Sequence, residues 1–191
     1  MQPRGSYAKG LAKREEILDA ALECFVDKGY DRTSVREIAR VVGLSQAGLL
    51  HHFPNKEALF LEVLRRRDEQ SISGNEERGV HSVHGLIDAV ERNSAQAGLV
   101  GLYVVMSAES AHTEGLARDF FRERYEWVLD DIAADVARMQ REGEMTSALS
   151  SHEIASLLVA AADGLQVQWL LDPDGVDMTG SMRALVGRFS A

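Results

Sequence analysis

Apolar residues recur along most of this chain at intervals of three and four, which is the spacing of one face of an α-helix. Short polar stretches with glycine or proline interrupt the pattern. Alternating apolar and polar runs of the kind that form strands are few, and the sequence has no internal repeat. The pattern therefore predicts an all-α protein.

The first amphipathic helix is predicted from Ala12 to Lys28, and Gly29 follows as its stop. Its inward positions are Ile17, Leu18, Ala21, Leu22 and Phe25. Residues 1–10 precede it without an apolar period, and we expect them to form a flexible basic arm.

Two short helices are predicted next, in the segment TSVREIARVVGLSQAGLLHHF. Ser34 and Glu37 have the spacing of a capping box at the start of the first helix. Gly43 suits the left-handed conformation at its end, and Ser45 suits the N-cap of the second helix. This pattern predicts a helix-turn-helix, the motif that inserts its second helix into the DNA major groove. A plain helical hairpin of an all-α protein has the same local pattern.

The second of these helices has two different faces. Leu49 and Phe53 are four residues apart and are predicted to face the core. The opposite face then presents Gln46, Ala47, Leu50 and His51. A glutamine amide pairs bidentately with adenine, and apolar side chains contact thymine methyl groups. This outer face is therefore predicted to contact bases.

A further helix is predicted after Pro54, with Asn55 as its cap. Lys56 lies in its first turn, and a free helix terminus beside a lysine suits a phosphate group.

Charge divides the chain into two parts. Residues 1–67 contain 12 basic and 9 acidic residues, a net charge of +3, and the remainder has a net charge of −12. The basic part contains Lys9, Lys13, Lys28, Lys56, Arg4, Arg14, Arg32, Arg36 and Arg40. A polyanion partner is expected there, and the acidic remainder should keep the contact local because it repels phosphate.

Composition is that of an ordinary globular protein, with 191 residues, 45% hydrophobic and 27% charged. The single cysteine, Cys24, excludes an internal disulfide. No apolar run approaches the roughly 18 residues of a membrane span, and the N-terminus lacks the hydrophobic stretch of a signal peptide. We therefore expect a cytoplasmic protein with no membrane partner.

A polar, glycine-containing segment between Gln70 and Val80 predicts a boundary between a first domain at residues 11–69 and a second at residues 80–191. The second domain is predicted to contain helices at about 84–112, broken near Gly98 or Gly101, at 116–142, at 150–171 and at 182–189. Ser150 and Glu153 form a capping box for the third of these helices.

The last two helices, at about 152–171 and 178–190, each need a partner for an apolar face. Small residues at positions 160–162 and 164 would allow another helix to approach closely. Either these helices close the core of a monomer, or they form a four-helix bundle in a two-fold dimer. Helix-turn-helix proteins commonly bind paired half-sites, which favours the homodimer.

The order of elements resembles the tetracycline-repressor (TetR) family of bacterial transcription regulators. The phrase REEILDAALECFVDKGYDRTSVREIARVVGLSQAGLLHHFPNKEALF carries most of the resemblance, and the phrase DGLQVQWLLDPDG is similar to a subgroup that includes choline-pathway repressors. The resemblance implies an N-terminal three-helix, homeodomain-like helix-turn-helix domain and a C-terminal helical domain for ligand binding and dimerisation. It also implies a small molecule that alters operator affinity, most often to relieve repression.

At positions that match the family's motif, the resemblance implies DNA contacts by a set of residues around the two short helices. They are Thr33, Ser34, Arg36, Ser45, Gln46, Ala47, Gly48, Leu50, His51, His52 and Lys56. Two positions depart from the family pattern. Leu50 replaces a common tyrosine that bonds a phosphate, and Gly48 replaces the usual threonine or alanine.

Aromatic and polar-tipped side chains on the apolar helices of the second domain are the candidates for effector binding, since such mixtures line small-molecule cavities. They are Tyr103, Met106, Glu109, Phe121, Tyr125, Trp127, Gln166 and Trp169. An aromatic stripe at helical spacing is also typical of a core. An apolar or amphipathic molecule is the expected effector.

The sequence offers little support for a metal site, a catalytic site or a cofactor-binding site. His81 and His84 have a spacing that can share a metal, although solvated histidines are commoner beside a polar boundary, and no metal site is predicted. Catalytic motifs and cofactor-binding loops are not found, so no enzymatic activity and no cofactor are expected. The prediction is a repressor that a small amphipathic molecule releases from a palindromic DNA operator. The alternative is a helix-turn-helix adaptor without small-molecule control.

Overall fold

The computed structural model describes residues 4–190, which form nine α-helices and contain no β-strand within that range. The helices are α1 (Arg4–Lys28), α2 (Val35–Val41), α3 (Gln46–His52), α4 (Lys56–Glu77), α5 (Ser82–Asn93), α6 (Ala97–Ser110), α7 (Leu116–Glu142), α8 (Ser151–Leu171) and α9 (Met178–Phe189). The all-α prediction is confirmed. Met145 and Ser190 form an isolated antiparallel β-bridge.

Helix α1 begins earlier than the sequence predicts. The basic arm was expected through residue 10, but the backbone is helical from Arg4 onward. The glycine at position 10 costs about 1 kcal/mol relative to alanine, which is too little to end a helix that continues for many turns. Residues 1–3 of the predicted arm lie outside the described residues.

The chain divides into two compact units, Met1–Asp68 and Glu69–Ala191. Helix α4 continues through the polar segment 70–77, where the sequence predicted only a boundary, and it ends before Gly79. Gly79 has a φ of 63°, a left-handed conformation that favours glycine. The polar segment is therefore mostly helical, and the backbone turns only at its end.

The core of the first unit is formed by apolar side chains from all four of its helices. Its buried members include Ile17, Leu18, Ala21, Phe25, Ile38, Ala39, Leu49, Phe53, Leu59, Phe60, Val63 and Leu64. The Phe25 and Phe60 rings meet edge to face at 5.6 Å between centroids. Such a contact is favourable beyond the area that it buries.

The second unit packs α5, α6, α7, α8 and α9 around one apolar cluster. Asp135 of α7 is 7% exposed, and its carboxylate accepts a hydrogen bond of 3.0 Å from the backbone N–H of Val83. Val83 lies in the first turn of α5, whose N-cap residue His81 makes no side-chain cap. Asp135 therefore supplies the missing capping group from another helix.

The predicted helix at 84–112 is broken at a different place from the one expected. The break lies at residues 94–96, between α5 and α6, whereas Gly98 and Gly101 are helical. The Ser94 hydroxyl donates a 2.7 Å hydrogen bond to the Glu91 carbonyl. This local bond satisfies a carbonyl at the end of α5.

Helix α8 is long and apolar enough, by length and composition, to cross a membrane. The expectation that no run approaches this length was therefore wrong. One side of α8, including Ile154, Leu158 and Trp169, is buried in the core of the second unit. Core helices of globular proteins share this length and composition, so the two features are weak evidence of a membrane span.

Candidate nucleic-acid interface and effector site

Both short helices of the first unit begin with a serine cap. Ser34 Oγ accepts a 3.1 Å hydrogen bond from the Glu37 N–H, and Ser45 Oγ accepts a 3.0 Å bond from the Gly48 N–H. Between the helices, Gly43 has a φ of 67°. The caps and the left-handed glycine make the tight turn that the sequence predicts.

The Ser34 capping box is complete on one side only. The Glu37 carboxylate accepts a hydrogen bond from Lys28 Nζ at the end of α1. This bond lowers the pKa of Glu37 and raises the pKa of Lys28. By contrast, Ser150 and Glu153 form the full reciprocal box at the start of α8, as predicted.

Helix α3 is oriented as the sequence predicts. Leu49 is fully buried and Phe53 is 2% exposed, so both side chains belong to the core. The outer side exposes Ser45, Gln46, Ala47 and His51, and leaves Gly48, Leu50 and His52 partly exposed. Helix α3 thus begins at a serine cap, packs one side against the core and exposes the other side. This arrangement is typical of a recognition helix.

Thr33 was predicted to contact DNA, but its side chain is directed into the first unit. Its side chain is 1% exposed, and its hydroxyl lies 3.0 Å from the Cys24 carbonyl and 2.8 Å from the Gly29 carbonyl. Its backbone N–H donates to the Tyr30 carbonyl at 3.1 Å. Thr33 therefore joins the end of α1 to the following turn, and its polar groups are directed inward.

Lys56 is partly buried and makes several internal contacts. Its Nζ donates to the carbonyls of Tyr30, at 2.9 Å, and Thr33, at 3.2 Å. The same ammonium lies 3.9 Å from the centroid of the Tyr30 ring. An ammonium has three donors, so a phosphate contact by Lys56 stays a prediction beside this structural role.

Two basic residues of α1 bind the ends of the short helices. Lys13 Nζ donates to the Val42 carbonyl at 2.6 Å, and Arg14 donates to the His52 carbonyl at 3.3 Å. The Arg14 guanidinium also lies 4.3 Å from the centroid of the Phe53 ring. Cations at helix C-termini satisfy free carbonyls and oppose the helix dipole. Sequence reasoning missed these contacts because the partners are 29 and 38 residues apart.

Three of the predicted effector residues come together in the second unit. The Tyr103 and Phe121 rings pack edge to face at 5.5 Å, and the hydroxyls of Tyr103 and Tyr125 are 3.3 Å apart. Tyr125 donates a 2.6 Å hydrogen bond to Asp163 of α8, and Arg124 donates a 3.1 Å bond to Tyr103. We call Tyr103, Phe121, Arg124, Tyr125 and Asp163 the tyrosine cluster.

Asp163 and Arg124 were not among the predicted residues. A charged residue on an otherwise apolar helix was the available signal for Asp163, which lies in the middle of α8. Burial raises the pKa of Asp163, against the opposing effects of Tyr125 and Arg124. Burial also raises the pKa of Tyr125. The hydroxyl therefore stays protonated at neutral pH and can donate a hydrogen bond to the Asp163 carboxylate.

The other predicted effector residues are distributed differently. Met106, Gln166 and Trp169 are buried in the second unit. Trp127 is 42% exposed and Glu109 is exposed, so both side chains lie at the surface, and effector binding by them stays a prediction. Two residues along a helix correspond to a rotation of about 200°, which turns Trp127 away from the face that contains Tyr125.

A metal site is not formed by the described residues, among which no group of three potential ligands comes together. His84 is exposed, and His81 precedes the first residue of α5.

Two family models match the chain in succession. Residues 17–63 match the model described as bacterial regulatory proteins, tetR family. Residues 76–191 match the model described as BetI-type transcriptional repressor, C-terminal. The first match contains the helix-turn-helix, and the second contains the tyrosine cluster.

Individual relatives agree with these models. An HTH-type transcriptional repressor of Mycobacterium tuberculosis is 38% identical over 68 residues, which are 36% of each chain. The repressor AcnR of Corynebacterium glutamicum is 28% identical over 162 residues, covering 82% of this chain and 81% of the relative. A crystal structure of a transcriptional regulator from Saccharomonospora viridis in complex with choline has a TM-score of 0.77 at 23% identity, covering 93% of this chain and 97% of that one.

Proposed function

Because this chain belongs to the TetR family of bacterial regulatory proteins, we propose that it is a cytoplasmic transcriptional repressor that binds a palindromic DNA operator and leaves it when a small molecule binds the second unit. The observation that carries the proposal is the outer face of α3. Gln46, Ala47 and His51 are exposed there, opposite the buried Leu49. A helix with this arrangement can enter the major groove while its inner face stays packed.

The experiment is selection of binding sites from a pool of random duplexes by the purified chain. A palindromic consensus with two half-sites supports a dimeric DNA-binding repressor. Failure to enrich any sequence, or to bind duplex DNA at low salt, would contradict the proposal.

The proposed effector site is the tyrosine cluster, and the proposed effector is a small amphipathic molecule with a cationic group. Aromatic faces attract ammonium groups, and the Asp163 carboxylate can balance their charge. The choline bound to the regulator from Saccharomonospora viridis supports this chemistry. Arg124 already lies 5.2 Å from the centroid of the Tyr103 ring, so a cation can compete for this position.

The test of the effector site uses choline as the probe. Choline should bind the protein and release it from the selected operator, and the Asp163→Asn variant should require more choline for the same release. A Trp127→Phe variant serves as the control because Trp127 lies on the surface. If choline and pools of amine metabolites leave operator binding unchanged, the alternative of a DNA-binding adaptor without small-molecule control replaces this part of the proposal.

The proposed homodimer uses α8 and α9. The outer side of α8 exposes Leu157, Val167 and Leu171 at 48%, 42% and 83%. The apolar stripe of α9, with Met182 and Val186, is buried in its own unit. The outer side of α9 instead presents the small exposed residues Ser181, Ala184 and Gly187. Small residues allow close helix approach, and the α8 residues supply apolar area for a four-helix interface.

Light scattering after gel filtration tests the dimer. Leu157→Glu combined with Val167→Glu should yield a folded monomer, since it places charges in the apolar interface. Trp127→Glu also places a charge at an exposed apolar side chain, but on α7, and should remain dimeric. A double variant that stays dimeric would contradict this interface.

A further inference from the structure

Most of the basic side chains in the first unit form hydrogen bonds or ion pairs with other residues of that unit. Lys13 and Arg14 bind helix ends, Lys28 binds Glu37, and Lys56 binds two carbonyls. Arg32 Nε donates to the Lys28 carbonyl at 3.0 Å, Arg65 pairs with Glu62, and Arg66 pairs with Glu15 and Asp19. The basic character of this part of the sequence therefore overstates the charge that is free to meet DNA.

Arg36 and Arg40 differ from these residues. Both side chains are exposed, and neither guanidinium has a hydrogen bond or an ion pair with another residue in the described part of the chain. They are four residues apart on α2 and therefore point to the same side of the helix. Both line a groove that also includes Gly43, Ser45 and Gln46.

Two positive charges four residues apart destabilise a helix when nothing compensates them. The acidic side chain that lines the same groove is Glu37, and Arg40 contributes to lowering its pKa. However, the Glu37 carboxylate accepts its hydrogen bond from Lys28. Lys28 thus neutralises the acid in this groove and leaves the two guanidinium groups with a net positive charge.

We propose that Arg40 joins Arg36, whose DNA contact the family resemblance already implies, in binding one backbone phosphate of DNA in the groove between α2 and the start of α3, and that the Lys28–Glu37 pair keeps this groove positive. This proposal rests on the proposed function. A guanidinium matches the geometry of a phosphate, and two of them on one side can hold it between them. The phosphate would fix the register of α3, so that Gln46, which lines the same groove, meets the base edges.

The test compares Arg40→Gln with Arg32→Gln, which removes the same charge from the same unit at a side chain that is bonded to a backbone carbonyl. Each protein is titrated into a short fluorescein-labelled duplex of mixed sequence at a series of NaCl concentrations. Losing one neutralised phosphate lowers the magnitude of the slope of log K against log salt by about 0.9 per protomer, which is the change expected for a variant that carries both Arg36→Gln and Arg40→Gln. Arg40→Gln alone should lower the magnitude by a part of that value, because Arg36 still faces the phosphate. For Arg32→Gln the slope should match that of the wild type.

Thermal unfolding of the free proteins separates this role from a structural one. Arg40 is exposed and makes no hydrogen bond or ion pair within the described part of the chain, so Arg40→Gln should change the melting temperature little while DNA binding weakens. An Arg40→Lys variant should recover most of the salt slope, because it restores the charge.

Two results would overturn the inference. One is an Arg40→Gln slope equal to that of the wild type, and the other is a loss of affinity that is matched by a loss of thermal stability. Either leaves the proposed function intact as long as the wild type binds the duplex. Absence of wild-type binding at low salt would instead contradict the proposed function itself.

Discussion

Tyr125 donates a hydrogen bond of 2.6 Å to the carboxylate of Asp163, and this bond joins α7 to α8 in the interior of the second unit. The donor hydroxyl lies 3.3 Å from the hydroxyl of Tyr103, which accepts from Arg124. A cation and a carboxylate are thus connected through two tyrosines from two helices. Partly buried polar networks of this kind contribute to stability only when their members are satisfied.

Tyr125→Phe should destabilise the protein by about 1 to 3 kcal/mol, because it removes a hydrogen bond to a charged group and leaves the carboxylate partly buried without that donor. The measurement is urea unfolding of Tyr125→Phe, Asp163→Asn and the double variant. The double-mutant cycle should give a coupling of about 0.5 to 3 kcal/mol. Strict additivity of the two single variants would mean that the bond contributes nothing to stability.

Asp163 should make the stability of the protein depend on pH in a defined direction. Since burial raises its folded pKa above the unfolded value of about 3.9, the folded state binds a proton more readily than the unfolded chain between the two values. The stability contributed by this group is fully present below the unfolded pKa and is lost as pH rises through the folded pKa. Relative to Asp163→Asn, the wild type should therefore become less stable as pH rises through this window. Urea unfolding of both proteins across the window measures this, and an opposite trend would contradict the direction of the pKa shift.

Lys56→Met should lower both stability and DNA affinity. Loss of Nζ leaves the Tyr30 and Thr33 carbonyls without this donor, which should cost about 1 to 3 kcal/mol in thermal or urea unfolding. If Lys56 also contacts a phosphate, all sequences should be bound less tightly and the salt slope should flatten by about one unit.

Gln46→Ala is the contrasting variant to Lys56→Met. As Gln46 is exposed, stability should change by less than about 0.5 kcal/mol. Base preference at one operator position should change by roughly 1 to 3 kcal/mol in binding titrations against single-base operator variants. Identical effects of the two substitutions on the sequence preference would mean that α3 does not present Gln46 to the bases.

Gly48→Ala should have a smaller stabilising effect than helix propensity alone predicts. Alanine is favoured over glycine by up to about 1 kcal/mol inside a helix. However, the added Cβ would lie 3.3 Å from Ser45 Oγ, the atom that caps this helix, and 3.8 Å from the Leu44 side chain. We expect a net gain between about 0 and 1 kcal/mol in thermal unfolding. A destabilised variant would show that the cap cannot shift to accommodate the methyl group.

The helix-turn-helix was readily predictable because its determinants are local. The caps at Ser34 and Ser45 and the left-handed Gly43 each depend on residues within four positions of one another. The inward orientation of Leu49 and Phe53 follows from helical periodicity. The family assignment follows from the same stretch, which lies within the residues matched by the first family model.

The roles of individual charged and polar residues in this unit were less predictable. From the sequence, Lys13, Arg14 and Lys28 were grouped with Arg36 and Arg40 as one basic part of the chain. Whether a lysine meets solvent or a helix end depends on which carbonyl or carboxylate the fold brings to it, and these partners are far away in sequence. The position of Thr33 was likewise not predictable from the sequence, because its hydroxyl bonds to two carbonyls at the end of α1 and in the following turn.

By itself, the sequence determined the helical fold class, the position of the recognition helix and the family, because each depends on periodicity and on spacings within a few residues. Only the tertiary structure decided which charges remain free on α2, which aromatic residues meet Asp163, and which face of α8 stays exposed. These outcomes depend on contacts between helices that are distant in the chain, where packing and desolvation select the partners and no local pattern records them.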